Sequence, residues 1–319
     1  MTKALKYILS LAYLFLCFEA QSQSDSSYIK DFEKCNVVET FPGVYRNAFE
    51  FTGRTRRQGN FKLLANGSCY LGFYVHYKWA SFHYAFTIPG TQLDDDTKFK
   101  YTDLSFRFTT TSLLIQPFLN TLNGLLIPER RKREYLPARD IKIMSVGSQI
   151  YYYPNANRYS FQAANYLSQL QKRNAGSIVL SFCPQWQQIS SAHPSSMNII
   201  DSNTVKLLRN DPQWMSVTGR IGYAYTLVFY KGRWTVSPTL LEGKGLIHEF
   251  RGGNRGLQST SNYQATLNAS YNTPSYYFYI TAFADFMSTH LLIRDLNQKR
   301  TDVSLTVGYR FRNLAERRS

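Results

Sequence analysis

The sequence predicts an all-β chain, an antiparallel transmembrane β-barrel of 12 to 14 strands. Three observations carry this: long runs of alternating apolar and polar residues, a composition rich in aromatics yet polar on average, and connections that alternate between short and long. The clearest run is Val217 to Phe229. There Val217, Ile221, Tyr223, Tyr225, Leu227 and Phe229 alternate with Thr218, Arg220, Gly222, Ala224 and Thr226, the period of a strand with one apolar face. Strands of soluble domains run about five or six residues, whereas a tilted strand crossing a bilayer takes about nine to eleven.

Aromatic residues make up 16% of the 319, with 24 Tyr and 22 Phe, and the mean hydropathy is −0.33. That average excludes a bundle of transmembrane helices. It fits a barrel with a wet interior, because lipid-facing and lumen-facing residues cancel along each strand. No apolar run beyond the N-terminus approaches the ~20 residues of a spanning helix.

Residues 1–22 read as an export signal: Lys3 and Lys6, an apolar segment from Tyr7 to Phe18, then Ala20-Gln21-Ser22 as a small-x-small site. Leu16 before Cys17 is too bulky for a lipidation box. The formal net charge is +16; losing Lys3, Lys6 and Glu19 with the signal removes two positive charges and one negative, leaving +15. For an exported chain the matching partners are outer-membrane lipids and lipopolysaccharide phosphates, and no nucleic acid is expected. Cys35, Cys69 and Cys183 then remain, an odd number without metal-ligand spacing. No disulfide is required, and no metal or cofactor is expected.

Along the chain, 23–42 is polar and aperiodic and reads as a periplasmic lead-in; the barrel is expected over 43–312, with a basic tail at 313–319. Val44 to Phe51 is a candidate first strand, followed by a basic loop with Arg54, Arg56 and Arg57. Leu71, Phe73 and Val75 share one strand face opposite Tyr74 and His76, and Phe82 to Ile88 alternates around His83. Tyr101 to Phe108 and Leu113 to Leu122 form the next hairpin. The loop after it carries Arg130, Arg131, Lys132 and Arg133, candidates for contact with anionic lipid; a charge run is also what a solvated loop carries.

Ile141 to Tyr153 and Tyr159 to Leu170 read as a hairpin around Pro154 to Arg158. Ile178 to Trp186 follows, then a long irregular stretch with a weak strand near Met197 to Leu208. Trp234 to Leu246, Tyr263 to Tyr271, Tyr276 to Met287 and Val303 to Phe311 complete the set. Twelve strands count from Ser68 onward. Bacterial barrels have even strand numbers and keep their short turns on one side. Putting the turns at 79, 110, 155, 231 and 272 together then requires the weak strand and Val44 to Phe51, which gives fourteen.

The residues also resemble a known family. Tyr151-Tyr152-Tyr153-Pro154-Asn155, Tyr159-Ser160-Phe161-Gln162-Ala163-Ala164, Gln169 with Lys172 to Ser177, and Gly222-Tyr223-Ala224-Tyr225-Thr226 with Gly243 and Gly245 are similar to the domain of unknown function 4421 family. The resemblance spans Asn60 to Phe311 and implies a Bacteroidota outer-membrane β-barrel without a defined activity. Val307-Gly308-Tyr309-Arg310-Phe311 is similar to the closing strand of such barrels. There a terminal aromatic implies recognition by the outer-membrane barrel assembly machinery; this chain continues from Arg312 to Ser319.

The lipid-facing set is expected to include Leu71, Phe73, Val75, Ile221, Tyr223, Leu227 and Phe229. Lumen-lining candidates are Tyr74, His76, His83, Arg220, Thr226, Glu242 and Lys244, the last two near the outer rim. His76 and His83, with Ser68 and Ser81, could make a base and nucleophile; polar lining in a hydrogen-bond network explains them equally without catalysis. His193, His248 and His290 fall in loops. The glycine-rich Gly252 to Gly256 lacks the ending of a phosphate loop. The sequence therefore names a monomeric outer-membrane barrel of a Gram-negative bacterium with a structural, ligand-binding or passive-transport role. A barrel enzyme acting on lipid A or phospholipid is the alternative.

Overall fold

The computed structural model describes residues 24–33, 36–53, 60–67, 69–77, 80–94, 97, 100–128, 135–191, 211–250, 256–290 and 294–312. In chain order the elements are β1 (Ile29–Asp31), β2 (Asn36–Gly53), β3 (Phe61–Ala65), β4 (Cys69–Tyr77), β5 (Ala80–Thr87), β6 (Lys100–Phe106), β7 (Phe108–Thr109), β8 (Leu113–Pro128), β9 (Tyr135–Tyr152), the single helical turn α1 (Phe161–Asn165), β10 (Gln169–Gln171) and β11 (Ala175–Ser191). β12 (Gln213–Phe229), β13 (Trp234–Glu249), β14 (Gln258–Asn272), β15 (Tyr276–His290) and β16 (Arg294–Phe311) follow.

Among the described residues the wall is a closed antiparallel barrel of twelve strands. It is formed by β2, β4, β5, β6, β8, β9 and β11 to β16, with β7 continuing β6 along β8. β2 and β16 close it, in register from Asn36 against Phe311 to Gly53 against Arg294. The end holding Asn36 and Phe311 is here termed the turn end, and the opposite one the loop end.

The count among the described residues is twelve, and the expected strand Tyr159 to Leu170 is not a stave. β11 pairs directly with β9 on one side and with β12 on the other, from Ala175 against Thr226 to Gln188 against Gln213. The stretch 192–210 thus connects two paired neighbours; the weak strand near 197–208 lies outside the described residues. Tyr159 to Leu170 alternates like a strand but folds inward. The Ser160 hydroxyl accepts from the Ala163 amide at 2.9 Å and caps α1, and Leu167 takes a left-handed conformation with φ of 50°. β2 adds a further correction, since it begins at Asn36, inside the stretch expected as a lead-in. His248 and His290 end β13 and β15 rather than sitting in loops.

The loop end narrows. β2 pairs with β4 along its first half and with β3 along its second, and β3 pairs onward with β8. Three staves, β4 to β6, are thereby replaced by one, and the ring falls from twelve strands to ten. Residues 88–94 and Thr97 lie at this step and are held through the buried Asn66. Its amide donates to the carbonyls of Asp94 at 2.9 Å and Thr97 at 2.8 Å, and its Oδ1 accepts from the Asp94 amide at 2.9 Å.

Outward positions carry an apolar belt. Phe73, Val75, Ile221, Tyr223, Leu227 and Phe229 are exposed, as are Leu240, Leu267, Ile280, Val303, Leu305 and Val307. Leu71 lies half-buried on the same face. Exposed apolar side chains on neighbouring staves, over a polar interior, are the pattern of a wall solvated by lipid. Cys183 is a free, buried cysteine. The signal 1–22, the loop with Arg54, Arg56 and Arg57, Ser68, Arg130, Arg131, Lys132, Arg133, His193, Gly252 to Arg255 and the tail 313–319 lie outside the described residues.

Candidate functional site

The inward side chains form three layers. At the loop end Phe49, Phe51, Phe61, Leu63, Leu125, Ile143, Ile189, Trp214, Ile247 and Leu296 are buried against one another in one apolar cluster. The ring is narrower there, and the cluster packs across its interior.

At the turn end the segment between β9 and β11 forms a floor. Phe161 stacks on Tyr153 with ring centroids 4.7 Å apart, and the wall grips the segment from three sides. Asn268 donates to the Ala164 carbonyl at 3.1 Å and to Asn165 Oδ1 at 2.9 Å. Gln162 donates to the Thr110 carbonyl at 2.9 Å. The buried Arg310 donates to the Leu167 carbonyl, to Asn272 Oδ1 at 2.8 Å and to the Thr273 carbonyl at 2.5 Å. Arg310 also lies over the rings of Phe32 and Tyr277, at 3.9 and 4.2 Å. β1 pairs with β10 and ties the N-terminal segment to the same floor.

Between this apolar cluster and the floor lies a chamber of about 310 Å³. Its charged residues come from one arc of the wall, β16 to β6: Glu39 of β2, Asp103 of β6, Arg107 after it, and Arg300 and Asp302 of β16. Arg300 stands 3.7 Å from Asp103, and Tyr70 donates to Asp302 at 3.0 Å. Glu39 is buried and accepts from Tyr277 at 2.5 Å and Tyr279 at 3.3 Å. Arg107 lies over Tyr166 at 3.4 Å and Tyr74 at 4.5 Å. A second space of about 80 Å³ lies beside Arg220. The Arg220 guanidinium donates to Gln264 at 2.5 Å, Asn262 at 3.2 Å and Ser181 at 3.0 Å. Asn262 passes the interaction on to Asp285 at 2.7 Å, so the buried cation is fully engaged.

Of the expected lumen residues, Tyr74, His76, His83, Arg220 and Thr226 face inward, and Tyr74 and His83 line the chamber. His83 stacks on Phe41 at 4.9 Å, with Nδ1 3.3 Å from the Ser105 hydroxyl. His76 Nδ1 is 3.3 Å from the Ser81 hydroxyl near the turn end. Thr226 is buried and paired with Ser237 at 2.9 Å.

Glu242 and Lys244 do not face the lumen. They point outward on the face of Leu240 and Leu246, at the upper edge of the apolar belt. The inward positions that alternate with them are Gly243 and Gly245. A Cβ at either would lie 2.2 Å from the Gly219 carbonyl oxygen or 2.3 Å from that of Val217. The period of two running through Trp234, Val236, Pro238 and Leu240 already points to this facing. Sequence reasoning also passed over Glu39, Arg107, Arg300, Asp302 and Arg310. The alternation of β16, with Val303, Leu305, Val307 and Tyr309 outward, puts Arg300, Asp302 and Arg310 on the inner face and was the available signal.

A closed twelve-strand barrel with an apolar outer belt and a polar, charged lumen is an outer-membrane-type β-barrel. The chain belongs to the family described as domain of unknown function (DUF4421), whose model matches residues 23–311. Comparison with curated proteins finds no match. Among solved structures the chain is similar to the outer membrane protease OmpT of Escherichia coli, with 8% identity over 88% of this chain and 98% of that one and a TM-score of 0.36. It is similar to OmpT, an outer membrane protein of Vibrio cholerae, with 5% identity over 87% and 98% and a TM-score of 0.31. The beta domain of the Bordetella autotransporter BrkA shows 12% identity over 85% and 99% and a TM-score of 0.39. Likenesses this distant say nothing of activity, and the fold rests on the strand pairing itself.

Proposed function

We propose that this chain is a monomeric outer-membrane barrel of a Gram-negative bacterium that holds a closed ligand-binding chamber and does not conduct. The observation that carries the reading is the side-chain packing inside the lumen at both ends. The loop end is filled by the apolar cluster around Phe49, Trp214 and Leu296, and the turn end by α1 and its anchors. Passive transport needs a continuous wet path, and the apolar cluster opposes one.

In this reading the turn end faces the periplasm, where bacterial barrels keep their short connections. Residues 1–22 direct export, and Phe311 ends the strand offered to the assembly machinery. Arg130, Arg131, Lys132 and Arg133 meet lipopolysaccharide phosphates, and a Bacteroidota origin follows the family resemblance. A lipid-modifying enzyme is the weaker reading, because His76 and His83 meet their serine partners inside the lumen and away from acyl chains.

Current recordings in planar bilayers test the proposal. The wild-type protein is expected to insert without producing steady conductance steps. Reproducible ohmic steps from the wild-type chain would overturn it.

A further inference from the structure

We infer that the chamber binds a small hydroxylated anion, of sugar size, whose carboxylate or phosphate group docks on Arg107. The inference rests on the reading of the lumen as a closed chamber and names what the chamber takes. Arg107 follows β6 at the turn end, and its guanidinium lines the chamber. The group packs on two rings, Tyr166 from the floor at 3.4 Å and Tyr74 from β4 at 4.5 Å. Aromatic rings thus lie against the flat of the guanidinium, which leaves its edge for hydrogen bonds.

That edge is not used. Arg107 Nε is buried without a hydrogen-bond partner, and among the described residues the guanidinium forms no ion pair. The nearby carboxylate of Glu39 is taken by the hydroxyls of Tyr277 and Tyr279. Arg220 and Arg310 make the contrast, since both bind acceptors from other staves or the floor. Buried guanidinium donors are normally paired, and a fork presented edge-on matches two oxygens of a carboxylate or a phosphate.

The rest of the wall describes the rest of the ligand. Gln116, Gln149, Asn268, Thr266 and Thr281 line the chamber with amides and hydroxyls, which suits hydroxyl groups rather than an acyl chain. At about 310 Å³ the space is at the small end of ligand sites. That admits one sugar ring with one acidic group and excludes a peptide or a lipid.

Isothermal titration of the full chain refolded in detergent, with glucuronate, glucose 6-phosphate, glucose and inorganic phosphate as probes, tests the inference. Glucuronate or glucose 6-phosphate should bind at one site per chain, with glucose at least tenfold weaker. Binding of glucuronate alone would identify a carboxylate ligand, and binding of glucose 6-phosphate with or without inorganic phosphate a phosphate ligand. Arg107→Gln should weaken the bound anion at least tenfold, and Arg107→Lys should fall between, keeping the charge while losing the paired donors.

Failure of all four probes to bind the wild-type chain would overturn the inference. So would glucose binding as tightly as the anions, or a folded Arg107→Gln binding them undiminished. If Arg107→Gln does not fold, as judged by heat-modifiable gel mobility, the wild-type comparison of glucuronate and glucose 6-phosphate with glucose decides alone. A wild-type barrel that conducts yet binds an anion through Arg107 overturns the closed-chamber reading and leaves this one. A silent barrel that binds nothing does the reverse.

Discussion

Arg310→Met should release the floor while leaving the barrel wall intact. The guanidinium is fully buried and joins three parts of the chain: the floor at Leu167, the β14 end at Asn272 and the β14–β15 turn at Thr273. Hydrogen bonds to a charged group contribute about 1.5–3 kcal/mol each. The gross value for three is offset by the desolvation of the cation and by its Nε, which finds no partner. Methionine retains much of the stem's packing on Phe32 and Tyr277 but strands the Leu167 carbonyl at a strained, left-handed residue. A net loss of about 3 kcal/mol, concentrated on 159–171, is reasonable for that balance. Hydrogen exchange measures it directly. Amides of 159–171 should exchange roughly a hundredfold faster than in the wild-type chain, with β12 to β15 unchanged. Unchanged exchange in 159–171, or an equal rise throughout the strands, would show that Arg310 does not clamp the floor.

The facing of β13 can be tested by paired substitutions. Leu240→Lys puts a charge into the apolar belt and should cost about 2–4 kcal/mol, lowering folding yield into liposomes, whereas Lys244→Leu should insert with full yield. A Leu240→Lys chain that inserts as well as the wild type would refute the facing assigned from burial. Asn66→Ala removes three hydrogen bonds from a buried site and should loosen 88–94 by about 2–3 kcal/mol. Limited proteolysis should then cut that segment in the variant at protease levels the wild type survives. Equal resistance would mean that 88–94 is held by something other than Asn66.

The lipid-facing side of this protein is legible in its sequence because the bilayer imposes one rule at every second position. Phe73, Val75, Ile221, Leu227 and Val303 obey it, and the burial pattern returns them all to the outer face. Where the period was not followed, at Glu242 and Lys244, a charge was mistaken for a sign of the lumen. The stretch Tyr159 to Leu170 was misread as a strand for a different reason. Tyr159, Phe161 and Ala163 alternate with Ser160, Gln162 and Ala164 as a strand would. What excludes a strand is the pairing of β9 with β11, between residues far apart in the chain, and that pairing leaves 153–174 no place in the wall.

The lumen is less legible because water and protein set no common rule there, so an inward arginine reads alike whether it is paired, clamping or idle. Arg220, Arg310 and Arg107 show the three cases, and only the three-dimensional partners separate them. Arg220 is answered by Ser181 of β11 and by Asn262 and Gln264 of β14. Arg310 is answered by the floor. Arg107 packs on aromatic rings and has an unanswered edge. A polar lumen needs none of this selectivity to stay wet. In the proposed reading the aromatic and aliphatic cluster closes one end and the clamped turn the other, and Arg107, a lumen cation with no acceptor among the described residues, is where a ligand would complete the structure.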